Sequence, residues 1–222
     1  METHPVIHRL RVAYSKVDDT RFISHLDVCN TMNRALRRAG LPVAYTEGFS
    51  PRPRTAFGPP LPLFVEGERE LADIELSERV EPAELIARMN AVLPHGIQLS
   101  AAHYVPLKCP SITASIQQAT YSVSPREGAL PLTPERVTAL LAETAVTIEK
   151  TSKGTKKQVD IRPAIAQLKV EDGTLSALLA ASPSRSLNIF DLLAALVPGF
   201  TVTETSGLRV VRTGFVYDEV QV

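Results

Sequence analysis

The sequence predicts an α+β protein made of two tandem ferredoxin-like modules, each with the element order β-α-β-β-α-β. The first half alternates period-two strands with capped helices in that order. The segments MNAVLPHGIQL (89–99) and LAALVPGFTV (193–202) share a helix end, a proline, a glycine and an alternating strand. Each half is also basic in its first part and acidic in its second. These repeats favour a duplicated plan, with modules at 1–107 and 108–222.

The first module has the clearest helix signals. Ser24 and Asp27 form an S-x-x-D capping signal, and Gly40 supplies a C-terminal stop. Pro82 suits the first turn of a second helix. The predicted elements in order are a strand at 8–17, a helix at 24–39, strands at 41–48 and 71–77, a helix at 82–93 and a strand at 97–105.

The second module repeats this order with weaker signals. Residues 105–118 are predicted as the linker. Thr133 and Ser186 are predicted to cap the two helices. The predicted elements are strands at 119–125, 145–150, 164–170 and 174–180, helices at 133–143 and 186–197, and closing strands at 200–206 and 208–217.

Composition excludes several classes of site. The chain has 24 basic and 24 acidic side chains, so no net charge selects a nucleic acid or a membrane for the whole molecule. Cys29 and Cys109 are the two cysteines and form no Cys-x-x-Cys pair, so we expect no metal, no cofactor and no disulfide framework. The start has no apolar signal-peptide core, and no apolar run reaches the length of a membrane span. We therefore expect a cytoplasmic protein.

The first helix carries the strongest candidate binding site. Its buried stripe is predicted to comprise Phe22, Leu26, Cys29, Asn33 and Leu36. Arginines at 34, 37 and 38 then share one flank, which favours contact with phosphates or RNA. The alternative is a solvated flank on which Asp27 pairs with Arg34.

Two further features adjoin this helix. Its N-terminus, with Arg21, Ser24 and His25, is a candidate anion site, although Ser24 is explained equally well as a cap. The loop at 48–62 contains five prolines, two phenylalanines and the arginines Arg52 and Arg54. Because prolines preset the backbone, this loop suits stacking on bases or holding a partner peptide. We expect Arg34, Arg37, Arg38, Arg52 and Arg54 to line one positive surface.

Catalytic signatures are weak. The sequence has no defensible Ser-His-Asp order, carboxylate pair or G-x-G-x-x-G. Metal-free cleavage of RNA needs a histidine and a proton donor near a 2′-hydroxyl, and the candidates are His25, Tyr45 and Lys16. The lysines of TSKGTKK (151–157) lack Walker spacing and indicate a solvated hairpin tip.

Residues 16–63 resemble a radical-SAM-linked protein family. The resemblance rests on Arg21-Phe22, on Ser24-His25-Leu26-Asp27, on the run from Arg34 to Pro42, on Gly48-Phe49 and on Pro60-Leu61-Pro62. It continues through ADIEL (72–76), LPHGI (93–97) and VRTGF (211–215). The chain departs from the family at Phe64, where a small residue is usual, and at Arg52 and Arg54, where His or Lys is frequent.

The resemblance implies a protein encoded beside, or fused behind, a cobalamin-binding radical-SAM enzyme. In architecture the family is also similar to RAMP-type endoribonucleases that process CRISPR repeats, although fold analogy is weak evidence for function. We therefore expect a non-catalytic accessory protein that binds transfer or ribosomal RNA or presents substrate to that enzyme. One alternative is a metal-independent endoribonuclease using His25. The other is a protein–protein scaffold using the acidic residues Glu66, Glu68, Glu70, Asp73 and Glu75.

Overall fold

The chain folds into two compact units in a computed structural model, which describes residues 8–125, 133–152, 155–197, 200 and 207–217. The first unit runs to Ser115 and includes Tyr217, and the second is Ile116–Val216. The strand pairings defined within each unit are antiparallel. The α+β class predicted from the sequence is therefore confirmed. No helix of the described residues is long and apolar enough to cross a membrane.

The first unit is a four-stranded sheet with two main helices. Its order is β2-β3-β1-β4, so β3 lies between the two strands that α1 connects. A short 3-10 helix, Asp18–Phe22, precedes α1. The elements are β1 (His8–Lys16), α1 (His25–Arg38), β2 (Thr55–Phe57), β3 (Glu66–Leu76), α2 (Pro82–Asn90), β4 (Ile97–Val105) and a single turn, α3 (Ile112–Ser115).

The strand predicted at 41–48 is wrong. Only isolated bridges join Val43 to Leu76 and Tyr45 to Pro53. The regular second strand is Thr55–Phe57, which pairs with residues 72–74 of β3. The amide of Glu75 donates to the carbonyl of Arg54, so the regular edge strand beside β3 lies inside the proline-rich loop, between Pro53 and Pro59.

The predicted buried stripe of α1 is wrong except at Leu36, although the helix itself is confirmed. The buried residues are Val28, Met32, Ala35 and Leu36, which pack with Leu10, Val12 and Ile74 of the sheet. Leu26 is 67% exposed and Phe22 is 51% exposed. Phe22 is not part of α1, because it belongs to the preceding 3-10 helix and Ser24 has extended backbone angles. The helical phase therefore begins at His25.

Gly96 joins the end of the α2 segment to β4. Its φ is +86°, and a Cβ atom there would lie 2.6 Å from the carbonyl oxygen of Val17. The amide of Val17 donates to the carbonyl of Gly96 at 2.8 Å. Glycine is required here because both the backbone angle and the close approach exclude a side chain.

The second unit has a comparable order. Strand β9 lies between β5 and β8, β11 lies next to β5, and β6 and β7 form a separate hairpin. The elements are β5 (Ile116–Pro125), α4 (Pro134–Ala142), β6 (Thr147–Ser152), β7 (Thr155–Asp160), β8 (Ile165–Glu171), β9 (Thr174–Ser182), β10 (Arg185–Ser186), α5 (Ile189–Leu196) and β11 (Leu208–Tyr217).

The predicted cap of α5 needs correction. Asn188, not Ser186, is the N-cap, because its side chain accepts from the amide of Phe190 at 3.0 Å. Ser186 instead pairs with Ala181 in the short strand β10. The strand predicted at 200–206 lies, apart from Phe200, outside the described residues.

Candidate functional sites in the first unit

An arginine face, defined as Arg34, Arg37 and Arg38, occupies the solvent side of α1. All three side chains are exposed, and they lie opposite the buried stripe. Arg38 donates to the carbonyl of Val92. No described residue forms a hydrogen bond or an ion pair with the side chain of Arg34 or Arg37. The predicted alternative, in which Asp27 neutralises Arg34, is therefore absent from the described contacts.

The start of α1 is closed by a reciprocal cap. The Ser24 hydroxyl accepts from the amide of Asp27 at 3.1 Å, and the Asp27 carboxylate accepts from the amide and the hydroxyl of Ser24 at 3.1 and 2.7 Å. These hydrogen bonds hold the pKa of Asp27 below its ordinary value. Arg21 donates to the carbonyl of Asp18 and lies 4.2 Å from the centre of the Phe22 ring. The cap therefore occupies the amides of Ser24 and Asp27, which belong to the predicted anion site.

The three candidate catalytic residues have different surroundings. The ring of His25 meets the Phe57 ring edge-on at 6.0 Å, and its Nε2 lies 3.6 Å from the sulfur of Cys29. Lys16 is buried, and its Nζ lies 3.5 Å from the carbonyl oxygen of Arg21. Tyr45 is half-buried against the core. The contacts of all three side chains are packing contacts near the start of α1.

Four exposed apolar side chains belong to the start of α1, to the residues just before it and to the segment that contacts those residues. We call them the apolar cluster: Phe22, Leu26, Leu63 and Phe64. The rings of Phe22 and Phe64 meet edge-on at 5.9 Å, and the amide of Phe64 donates to the carbonyl of Arg21. Phe64 has φ of +71°, a strained value for a residue with a side chain. Exposed apolar groups gathered in this way are typical of surfaces that meet a partner.

The predicted single surface of five arginines is not formed. Arg54 donates from Nε to the carboxylate of Glu75 at 2.6 Å. Glu75 pairs with Arg9 in the register of β1 and β3, whereas Leu10 and Ile74 turn towards α1. Because neighbouring strand residues point to opposite faces, Arg54 lies on the sheet face away from α1. The Arg52 side chain is exposed, and its amide donates to the Thr46 hydroxyl.

That second sheet face carries a row of charges which sequence reasoning missed. Arg11 pairs with Asp73 on one side and with His103 on the other in the strand register. Burial, and then the charge of Arg11, lowers the pKa of His103. Its Nε2 is buried and has no hydrogen-bond partner among the described residues. The available signal was the alternation of charged with apolar residues in HRLRV and ADIEL.

A pocket of about 330 Å³ opens on this face at the edge formed by β2, and we call it the edge pocket. Its walls come from β1, β2, β3 and the segments before β2 and α3. The lining residues are Arg9, Thr46, Arg54, Thr55, Ala56, Asp73, Glu75 and Ser111.

Comparison with known proteins gives one family. A family model described as "Uncharacterized protein conserved in bacteria (DUF2344)" matches residues 9–189. No curated protein matches the chain. Among solved structures, the chain is similar to one titled "Crystal Structure of an Unknown Protein from Galdieria sulphuraria", with 14% identity and a TM-score of 0.28. That comparison covers 94% of this chain and 98% of the other.

Proposed function

We propose that this chain, which belongs to the conserved bacterial family DUF2344, is a non-catalytic cytoplasmic accessory protein that binds RNA through the arginine face. The observation that carries the proposal is the exposure of Arg34, Arg37 and Arg38 on one side of α1, with no acidic partner described for the first two. Guanidinium groups form strong paired hydrogen bonds with phosphate oxygens. Three of them within about 6 Å of helix axis suit a short stretch of nucleic-acid backbone.

The backbone supports an architectural part of the same proposal. Apart from the separate β6–β7 hairpin and the short strand β10, the strands of the two units follow the orders β4-β1-β3-β2 and β11-β5-β9-β8. These orders support a split β-α-β, ferredoxin-like arrangement in each unit. We include two such modules in the proposal.

The apolar cluster favours a partner protein as the second element of the accessory role. Leu26 and Leu63 do not stack on bases as aromatic rings do, so the cluster suits a protein surface better than RNA. The sequence resemblance points to a cobalamin-binding radical-SAM enzyme as that partner. RNA held on α1 would then lie beside the docked enzyme, since Leu26 is on the same helix as the arginines.

The RNA proposal is tested by measuring affinity for total cellular transfer and ribosomal RNA at several salt concentrations. The triple variant Arg34→Ala/Arg37→Ala/Arg38→Ala is expected to bind more weakly. Its log–log salt slope should be flatter by about one unit for each phosphate that the variant no longer binds. A matched control is Lys156→Ala/Lys157→Ala/Lys169→Ala, which removes three exposed lysines from the second unit. Equal reductions in affinity in both triple variants would mean that only overall charge matters and would contradict the proposal.

The partner proposal is tested by purifying the protein from its native cells and identifying what accompanies it. Phe22→Ser with Leu26→Ser is expected to lose the radical-SAM enzyme and to keep its RNA affinity. Retention of the enzyme would contradict the partner proposal. Loss of both ligands would contradict the division of roles between the apolar cluster and the arginine face.

A further inference from the structure

We propose that the edge pocket binds a phosphate monoester. The pocket lies on the sheet face away from α1, so this site is independent of the arginine face. Its volume of about 330 Å³ is at the lower end of small-molecule sites, which run from about 300 to 1,000 Å³. A phosphorylated group of nucleotide size suits this volume.

The charges around the edge pocket leave one guanidinium in excess. Asp73 is paired with Arg11 through two hydrogen bonds of 2.8 and 3.0 Å. Glu75 accepts from Arg9 at 3.3 Å and from Arg54 at 2.6 Å. Two arginines and two carboxylates line the pocket, and Arg11 behind the wall adds a third guanidinium, so each carboxylate is already paired. An anion entering the pocket meets net positive charge.

Three hydrogen-bond donors around the pocket have no described acceptor. Arg54 uses Nε for Glu75, and no described residue accepts from its two terminal nitrogens. The hydroxyl oxygens of Thr46 and Ser111 accept from the amides of Arg52 and Ala114, which leaves their hydrogens for a ligand. Thr55 differs, because its hydroxyl donates to the side chain of Asn33.

The placement of these donors selects the kind of anion. Arg54 lies just before β2, Thr46 on the preceding segment and Ser111 just before α3, so the donors approach from three parts of the chain. A terminal phosphate offers three acceptor oxygens in different directions and close to two negative charges at neutral pH. A planar carboxylate offers only two oxygens. The carboxylate of Glu75 already occupies the position between Arg9 and Arg54 and pairs with both. A phosphodiester has fewer free oxygens and a single charge.

A mononucleotide and the phosphorylated end of an RNA chain both carry this chemistry, and titration calorimetry with four probes separates them. The probes are AMP, adenosine, and a short oligoribonucleotide with either a 5′-phosphate or a 5′-hydroxyl. AMP is compared with adenosine, and the 5′-phosphorylated oligonucleotide with the 5′-hydroxyl one. In at least one of these two comparisons the phosphorylated probe is expected to bind about tenfold more tightly than its unphosphorylated counterpart, as one charge-assisted contact implies. A gain with AMP identifies a nucleotide site, and a gain only with the oligonucleotide identifies an RNA end.

Variants complete the test. Arg54→Gln and Ser111→Ala are each expected to reduce the preference for the phosphorylated probe. Ser111→Ala leaves the ion pairs of Glu75 intact and so guards against loss through misfolding. The control is Arg79→Gln, an exposed arginine of the same unit outside the pocket. Equal affinity for phosphorylated and unphosphorylated probes, or equal effects of Arg54→Gln and Arg79→Gln, would overturn the proposal. The triple variant of the arginine face should keep the preference, so failure at one site is distinguishable from failure at the other.

Discussion

Arg11 and Asp73 form a buried, two-pronged ion pair across β1 and β3. Nε of Arg11 lies 2.8 Å from Oδ1 of Asp73, and Nη2 lies 3.0 Å from Oδ2. The two side chains are only 9% and 4% exposed. The hydrogen bond to Asp73 raises the pKa of Arg11 above its ordinary value, which favours the charged guanidinium. A pair buried in this way is costly to break from one side only.

We predict that Asp73→Asn lowers the free energy of unfolding by about 3 kcal/mol, because it leaves a buried guanidinium without its counter-charge. Urea unfolding monitored by circular dichroism measures this. Arg11→Met with Asp73→Leu should recover most of the loss, since neither charge is then buried alone. Arg79→Met is the control, because Arg79 and Glu81 form an exposed pair at 3.9 Å. A double variant as unstable as Asp73→Asn would show that the pair itself, and not the unpaired charge, holds the strands.

The second prediction concerns the cap of α1. Ser24→Ala is expected to cost about 1 kcal/mol of stability, since the amide of Asp27 loses its acceptor. Ser24→Thr should restore most of it. Asp27 makes the effect pH-dependent: its folded pKa is lowered, so its contribution is present above its unfolded pKa and is lost as pH falls through the folded value. If Ser24→Ala were as costly in acid as at neutral pH, the hydrogen bonds from Ser24 to the Asp27 carboxylate would contribute nothing to the stability of the cap.

A third prediction follows from His103. Burial and the nearby charges of Arg11 and Arg69 lower its pKa below 6.5, while Asp73 opposes the shift. The unfolded chain therefore binds a proton first as the solution is acidified. Stability that is complete above 6.5 is lost as pH falls towards the folded pKa. His103→Gln should show a smaller drop in Tm than the wild type between neutral and mildly acidic pH. His95→Gln, which removes an exposed histidine, is the control. Identical drops in His103→Gln and wild type would assign the pH dependence to other groups.

Local signals predicted the helices better than the sheet. The Ser24 and Asp27 pattern located the start of α1 because the cap is made by residues three positions apart. Both Ser186 and Asn188 are good caps, and the pairing of Ser186 with Ala181 leaves Asn188 to begin α5. That pairing belongs to the hairpin of β9 and β10, so helix-capping patterns alone could not predict it.

The candidate sites also divide into features set by local sequence and features set by contacts between distant residues. Arg34, Arg37 and Arg38 share one flank because they are three and four positions apart on one helix, so their grouping followed from the sequence even though the buried stripe of α1 did not. The edge pocket depends on Arg54 reaching Glu75 and on Ser111 arriving from beyond β4. Contacts between residues so far apart are set by strand register, which a single sequence does not encode locally.

The last prediction is that the isolated chain does not cleave RNA in the absence of metal. A metal-free ribonuclease needs a base at the 2′-hydroxyl and an acid at the leaving oxygen. His25 is the candidate base, but its ring is held against Phe57 and Cys29. Lys16, a candidate acid, is 2% exposed and lies against the carbonyl of Arg21, so a leaving group in solvent does not reach it. Tyr45 is half-buried beside the core. Incubation of the purified protein with total cellular RNA in chelator is expected to leave the RNA intact. Discrete fragments that disappear with His25→Ala, while the Arg34 triple variant still produces them, would replace the accessory role with a nuclease.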